Sequence, residues 1–513
     1  RRGSIDERRR IVRMGNDVVD VVVVGTGNAA FCAAHAARDH GARVLMLEKG
    51  PEDWVGGNSY FTAGAFRIAF DSQDDLVALL ADPSDERLPR TDVPPYPASA
   101  FLADMERLTL GRTDPVLAKI LVEDSLDTAR WLRDHGIRFH LQYHRQAYEV
   151  NGRFRFWGDL PLGTVGGGEG LIEQHRATAE ARGVRIRFES PVVGLLRDAS
   201  GAVTGVVVDG PNGREEIRAA AVVLACGGFE ADPRLRATYL GPGWDLAKVR
   251  GTPHNTGEGL MAALDVGAEP YGHWSGCHSI QWDAGAPPAG DRIITNRFSK
   301  QSYPIGIVVN VHGRRFLDEG ADFRNYTYAR YGAEVLKQPG ALAWQIFDAK
   351  TTPLLRDYEY AIPGVSRVEA DTIHDLAVAA GIDPAGLEQT VAEFNRAVQP
   401  GEFNPAIKDG KRTEGITPPK SNWALPIDTP PFVAFAVTCG ITFTFGGLRI
   451  DPQARVLGRN GRPIPGLHAA GELVGGIFYH NYPGGSGLTS GAVFGRRAGV
   501  SAAAHAAAVG TRG

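Results

Sequence analysis

The chain has 513 residues, 55 Lys+Arg against 59 Asp+Glu, a formal charge of −4, and an ordinary 43% apolar, 22% charged composition. That balance excludes a dedicated nucleic-acid binder with a clustered basic surface, and no apolar run approaches the ~20 residues of a spanning helix. Glycine fills 64 positions, while four scattered cysteines (Cys32, Cys226, Cys277, Cys439) form no paired spacing, which excludes a disulfide scaffold, a zinc ribbon and an iron–sulfur motif and suits a reducing cytoplasm.

In chain order, the first 13 residues hold six arginines and no apolar stretch. Residues 1–16 read as a mobile extension, with a basic arm for an acidic partner as the alternative. Residues 17–50 read as strand, glycine turn, helix and strand. The β-branched run Asp20–Val24 leads into Gly25-Thr26-Gly27-Asn28-Ala29-Ala30, an alanine-rich helix runs to about His40, and Arg43–Glu48 is a second buried strand. Such a βαβ unit has parallel strands and a right-handed crossover. A long helix is expected over 114–135, capped by Asp114 and ended at Gly136, and another after the glycine run Gly166–Gly170, through Leu171–Arg182. Val192–Leu196 and Val203–Val208 form a hairpin, and Ala221–Ala225 returns as a core strand. From about 270 to 415 the glycine-turn-strand pattern fades into short helices, among them Pro384–Val398. Past Pro418 it resumes and ends in a helix from about Gly487 to Ala508. These readings give an α/β protein in which a discontinuous nucleotide-binding domain (17–269 and 418–513) is interrupted by a second domain (270–417).

The opening turn reads as a dinucleotide site. Gly25 permits the tight turn, Gly27 lets backbone approach a pyrophosphate, Ala30 packs helix on strand, and Glu48 is spaced to bind ribose hydroxyls. FAD and NAD share this fingerprint, so later segments must choose between them. Gly56-Gly57-Asn58-Ser59, Ala63-Gly64, Ala225-Cys226-Gly227-Gly228, Thr256-Gly257-Glu258-Gly259, Gly471-Glu472 and Pro483-Gly484-Gly485-Ser486-Gly487-Leu488 are glycine turns at strand or helix ends. The last leads into a helix whose amide end can stabilise negative charge on a reduced flavin.

The order of these segments resembles the flavoprotein superfamily of fumarate reductases and succinate dehydrogenases, which includes 3-ketosteroid dehydrogenases, over about 17–505. Within it, the runs Gly56–Gly64, Cys439–Gly447 and Tyr482–Gly487 look most like the tricarballylate dehydrogenases. The resemblance implies a Rossmann-like FAD-binding domain interrupted by a smaller α+β capping domain that closes over the flavin. Implied cofactor contacts are Gly25, Gly27, Asn28, Ala29, Glu48, Lys49, Gly57, Asn58, Ser59, Ala63, Gly64, Val193, Ala225, Gly227, Gly257, Glu258, Phe443, Gly471, Glu472, Ser486, Gly487 and Leu488. Covalent members place a histidine just before the second glycine motif. Here Asn58-Ser59-Tyr60 stands there, so the FAD is expected to be non-covalent, and no metal site is expected.

The superfamily moves a hydride between a substrate carbon and flavin N5 and a proton at the neighbouring carbon. The segment Gly313–Glu319 followed by Arg324 matches the proton-transfer arginine of fumarate reductases after a one-residue shift, although a guanidinium pKa above 12 would not recommend it. His278 matches a substrate-binding histidine. Their histidine pair is Thr442-Phe443 here and one of their arginines is Tyr482, so two carboxylate anchors of plain fumarate or succinate are missing. The expected catalytic set is therefore Arg324, His278 and Tyr482, with Arg297, Thr442, Tyr303 and His480 binding substrate. The expected activity is FAD-dependent oxidoreduction of a CH–CH bond beside a carboxylate or carbonyl, with tricarballylate to cis-aconitate as the leading reaction. A 3-ketosteroid-type desaturase or ene-reductase, and an electron-carrying flavoprotein subunit, remain the alternatives. Electrons would pass to or from an external protein or quinone, from a cytoplasmic chain that could associate with a membrane partner.

Overall fold

The structure, a computed structural model, describes residues 19–510, so the arginine-rich extension lies outside the described residues. At the centre of the first sheet stands β1 (Val21–Val24), with α1 (Asn28–Asp39) crossing over to β2 (Val44–Leu47). Every residue of both strands is buried. That is why they read as continuous apolar runs rather than alternating ones: a parallel sheet is covered on both faces. β2 pairs in parallel with β3 (Arg185–Arg187), and β1 pairs on its other side with β4 (Ala221–Leu224).

The chain then leaves for the cap. There β5 (Pro270–Asp283), β6 (Ile307–Asn310), β7 (Ala343–Phe347) and β8 (Arg367–Ala370) assemble with the 17-residue β9 (Phe432–Leu448), and the helix α2 (Arg324–Leu336) packs across β5. Strand β9 serves the cap along its whole length. Its first half pairs with β7 and β8, and its second half pairs with β5. It also takes Lys248–Val249 as a parallel neighbour, which stitches cap to cofactor domain. After β9 the chain re-enters the first sheet as β10 (Arg455–Leu457) and β11 (Pro463–Ala469), giving the order β10-β11-β4-β1-β2-β3. The return anticipated from Pro418 thus comes at Arg455, 37 residues later.

The last helix, α3 (Ser486–Gly510), lies along α1. The two approach so closely that a Cβ at Gly495 or Gly499 would run into the carbonyl oxygens of Ala29 or Ala33. The helix expected over 114–135 is broken into Pro115–Glu123 and Ser125–Asp134. Asp124 sits at the break, bound by Arg497 of α3, while Asp114 caps the first piece by accepting from the amides of Val116 and Leu117. A third strand, Gly213–Arg218, extends the expected 192–208 hairpin. Among the described residues no helix is long and apolar enough to cross a membrane, and no cluster of His, Cys, Asp and Glu is placed to hold a metal.

Candidate functional site

A cleft with an empty volume of about 1870 Å³, counted to its open mouth, runs from the β1–α1 turn to the underside of the cap. Two kinds of glycine frame it. Gly25 has φ +105° and a Cβ there would collide with the Ala225 carbonyl, so the protein itself requires that glycine. Gly27 differs. Its φ of −75° suits any residue, and the nearest atom to a Cβ would be Ser59 Oγ at 3.4 Å. Gly57 also has nothing nearer than Gly27 Cα at 4.0 Å, although its φ of +50° favours glycine on its own account. The space kept free at these two positions belongs to the cleft, where a pyrophosphate would need it. Neither α1 nor α3 carries an acidic residue in its first turn, so both positive helix ends are left to an anion.

Glu48 lines the cleft at the end of β2, where a ribose would lie. Its carboxylate accepts from the Thr26 hydroxyl and from Gly50 N (2.8 Å), and burial raises its pKa. Lys49 is held by Glu258 (2.7 Å) and Thr256 across the cleft floor. Deeper in, Asn58 donates to Glu230 (2.6 Å) and to the Thr442 carbonyl (2.7 Å), and Glu472 accepts from Thr444 N (2.8 Å). Burial, with Glu230 alongside, pushes the Glu472 carboxyl well above the usual carboxylate range. Two carboxyl groups buried together share a proton rather than carry two charges. This set of backbone amides, open glycines, a ribose-reaching carboxylate and small residues fits FAD.

Beyond Phe443 the cleft changes character. Tyr328 and Tyr482 bring their hydroxyls into hydrogen-bond contact, and Arg145, Gln146, Arg250, Gln301, Asn325 and Thr442 complete the walls. Arg145 hydrogen-bonds Tyr358 (2.7 Å) and stands 3.7 Å from Glu359, while Arg324 approaches the same carboxylate at 3.9 Å. With Arg356 nearby, three buried guanidiniums surround one carboxylate, an excess of positive charge inside the protein. Burial raises the pKa of both Tyr328 and Tyr482, with the neighbouring Arg250 charge opposing, so both phenols are neutral near pH 7.

Most residues expected at the cofactor line this cleft. Three do not. Gly64 packs on Thr164 and Gly167, and Ser486 turns its hydroxyl back to the Pro483 carbonyl (2.5 Å) at the start of α3. Val193 faces away because strand side chains alternate, leaving Val192 in the cleft. Of the expected catalytic and substrate residues, Tyr482 and Thr442 line the cleft. His278 lies behind its aromatic wall, fully buried, stacked on Phe443 (5.2 Å) and edge-on to Tyr328 and Tyr482 (4.9 Å each). Burial keeps it neutral, which excludes a charged anchor. Arg324 donates to the Arg145 carbonyl (2.8 Å) and lines a separate small cavity with Trp157 and Arg356. Tyr303 is buried against Thr327 (2.6 Å), Arg297 turns to the carbonyls of Ile293 and Ile294, and His480 is exposed with its amide on His273. Arg145 and Arg250 escape sequence reasoning because neither sits in a motif.

The FAD binding domain family model matches residues 20–488. A fumarate reductase (cytochrome) of Shewanella frigidimarina is 30% identical over 491 residues, covering 96% of this chain and 78% of that protein. The 4-oxocyclohex-2-ene-1-carboxylate 5-dehydrogenase of Sinomonas cyclohexanicum is 28% identical, covering 95% and 94%. The solved open conformation of a flavocytochrome c3 fumarate reductase superposes with a TM-score of 0.71 at 28% identity, over 96% of this chain and 79% of that one. These relatives carry the superfamily and not the narrower tricarballylate dehydrogenase reading of the three motif runs.

Proposed function

Because the chain belongs to the FAD binding domain family of fumarate reductase and succinate dehydrogenase flavoproteins, we propose that it is an FAD-dependent oxidoreductase of a CH–CH bond in a polycarboxylate, with tricarballylate/cis-aconitate as its couple. The observation that carries the substrate class is the excess of buried positive charge beside the cleft: Arg145, Arg324 and Arg356 around Glu359 alone. Buried charges are ordinarily paired, and an anionic substrate supplies what the protein leaves out.

FAD held by Gly25–Ala29, Glu48 and Gly57–Ser59 would supply the hydride chemistry at the substrate carbon. The chain's own residues do the rest. Arg145 draws a carboxylate to the mouth between Gln146 and Gln301. Tyr482, touching Tyr328, gives its proton to the adjacent carbon in the reductive direction and, as phenolate, takes that proton up in the oxidative direction, and the nearby Arg250 charge favours the phenolate in both. Arg324, in its separate cavity, acts through Arg145 by holding its carbonyl, so the proton is placed with Tyr482 rather than Arg324. The cap excludes water from this step. The FAD is non-covalent, since Asn58-Ser59-Tyr60 offers no histidine at the covalent position, and a protein or quinone outside this chain exchanges the electrons.

The Tyr328–Tyr482 contact favours a second reading, a ketone-activated substrate polarised by paired phenols. Anaerobic mixing separates the two. Tricarballylate should bleach the flavin absorbance and a 3-ketosteroid should not. Bleaching by the steroid alone overturns the polycarboxylate reading, and bleaching by neither overturns both. Acid precipitation should release the flavin into the supernatant, and retention on the precipitated chain contradicts a non-covalent cofactor.

A further inference from the structure

Arg250 follows the short strand that joins cofactor domain to cap, and its backbone amide is fixed on the Ile441 carbonyl (2.8 Å). The residue is only 7% exposed, yet it lines the cleft. All three of its hydrogen bonds end on neutral oxygens: Nε (2.9 Å) and Nη2 on Asn296 Oδ1, and Nη1 on Thr442 Oγ1 (3.0 Å). No carboxylate among the described residues forms an ion pair with it. A guanidinium has five N–H donors and stays charged at any pH a protein survives, so Nη1 and Nη2 each keep one donor. Thr442, having accepted from Arg250, still has its hydroxyl proton to give. Asn296 Oδ1 also takes the Ser299 hydroxyl (3.0 Å), so the acceptor that holds the guanidinium in place is itself held.

We propose that Arg250 and Thr442 together form a receptor for one substrate carboxylate, with one oxygen on the guanidinium and the other on the hydroxyl. The receptor takes over from the two anchors missing at 442–443 and 482. This inference rests on the polycarboxylate reading and makes it specific. An arginine–carboxylate pair in a shielded cleft is charge-assisted and directional, and an unpaired buried guanidinium rejects a neutral ligand that would bury it without an anion. The two residues arrive from segments 192 positions apart, which is why no local motif announces them.

The test uses the FAD-loaded protein and citrate, whose central carbon bears a hydroxyl in place of the hydrogen that oxidation must remove, so it binds without turnover. Citrate titrated into wild type should shift the flavin visible spectrum, and trimethyl citrate should not. In Arg250→Ala the citrate Kd should rise about 30-fold. In Arg250→Lys it should rise less, a point charge replacing a fork, and in Thr442→Val about 5-fold. If wild type ignores citrate, the polycarboxylate reading itself falls. If wild type responds and these variants keep its Kd, the receptor is overturned while that reading stands. Should Arg250→Ala lose FAD, Arg250→Lys and Thr442→Val decide alone.

Discussion

Along the cradle from Gly25 to Glu48, the groups offered to a ligand are backbone amides, helix ends and space where side chains are missing. Past Phe443, under the cap, they are long side chains from at least five segments: Arg145 and Gln146, Arg250, Gln301, Asn325 and Tyr328, and Tyr482. The first region recognises by subtraction and the second by addition. Subtraction needs a few contiguous glycines. Addition needs the whole cap to be folded before any two of its charges meet.

The largest effect expected is in the second region. Tyr482→Phe should keep FAD content and spectrum while lowering kcat about 1000-fold, read by stopped-flow flavin reduction. A loss under tenfold would move the proton elsewhere in the chamber. Next, Gly25→Ala should cost about 3 kcal/mol of stability, because φ +105° and the Ala225 carbonyl both refuse a Cβ. A folded, FAD-loaded variant would break the division between structural and ligand-facing glycines. Gly27→Ala sharpens that division. Its apo form should melt like wild type while FAD affinity falls about tenfold, and an equal loss of apo stability would show the glycine is structural after all. Arg324→Gln should lower kcat less than Tyr482→Phe, about tenfold, and the reverse ranking would restore the arginine as the proton-handling residue.

The smallest effect concerns pH. Glu472 has a raised folded pKa, so its contribution is present below the ordinary carboxylate range and lost as pH climbs through the raised value. Wild-type melting temperature should therefore sag towards alkaline pH, and Glu472→Gln, neutral throughout, should flatten that slope. An unchanged slope would mean that Glu472 is not the group that binds the proton.

The cradle was legible because its chemistry lies in short runs: Gly25–Ala29, Glu48, Gly57–Ser59 and Gly471–Glu472 all line the cleft as read. Within it, Val193 was displaced by Val192 because a one-residue change of register turns a strand's side chain to the other face. The chamber was legible only at Thr442 and Tyr482, which border glycine motifs. Arg297 precedes Gly313–Phe316 by 16 residues in sequence. In the 3-10 turn Thr295–Phe298, however, Asn296 points inward to hold Arg250, and Arg297 bonds its own preceding carbonyls. Selecting Arg250 among 55 basic residues needed the pairing of Lys248–Val249 with β9, a contact between segments with no shared pattern. The break at Asp124 was hidden for the same reason, since Arg497, which binds it, lies 373 residues further on.

One bond in the cradle also sets a timetable. The Asn28 side chain donates to the Leu488 carbonyl, 460 residues away in sequence, and α3 covers α1 through Gly495 and Gly499. During synthesis the β1–α1–β2 unit emerges first, and at about 5–20 residues per second its partner follows roughly 20 to 90 s later. For that interval the Ala29, Cys32, Ala33 and Ala36 side of α1 has no cover from α3, and closing so long a loop is slow by its topology. Cofactor capture therefore waits for α3, and the nascent chain depends on other surfaces to shield α1 until then.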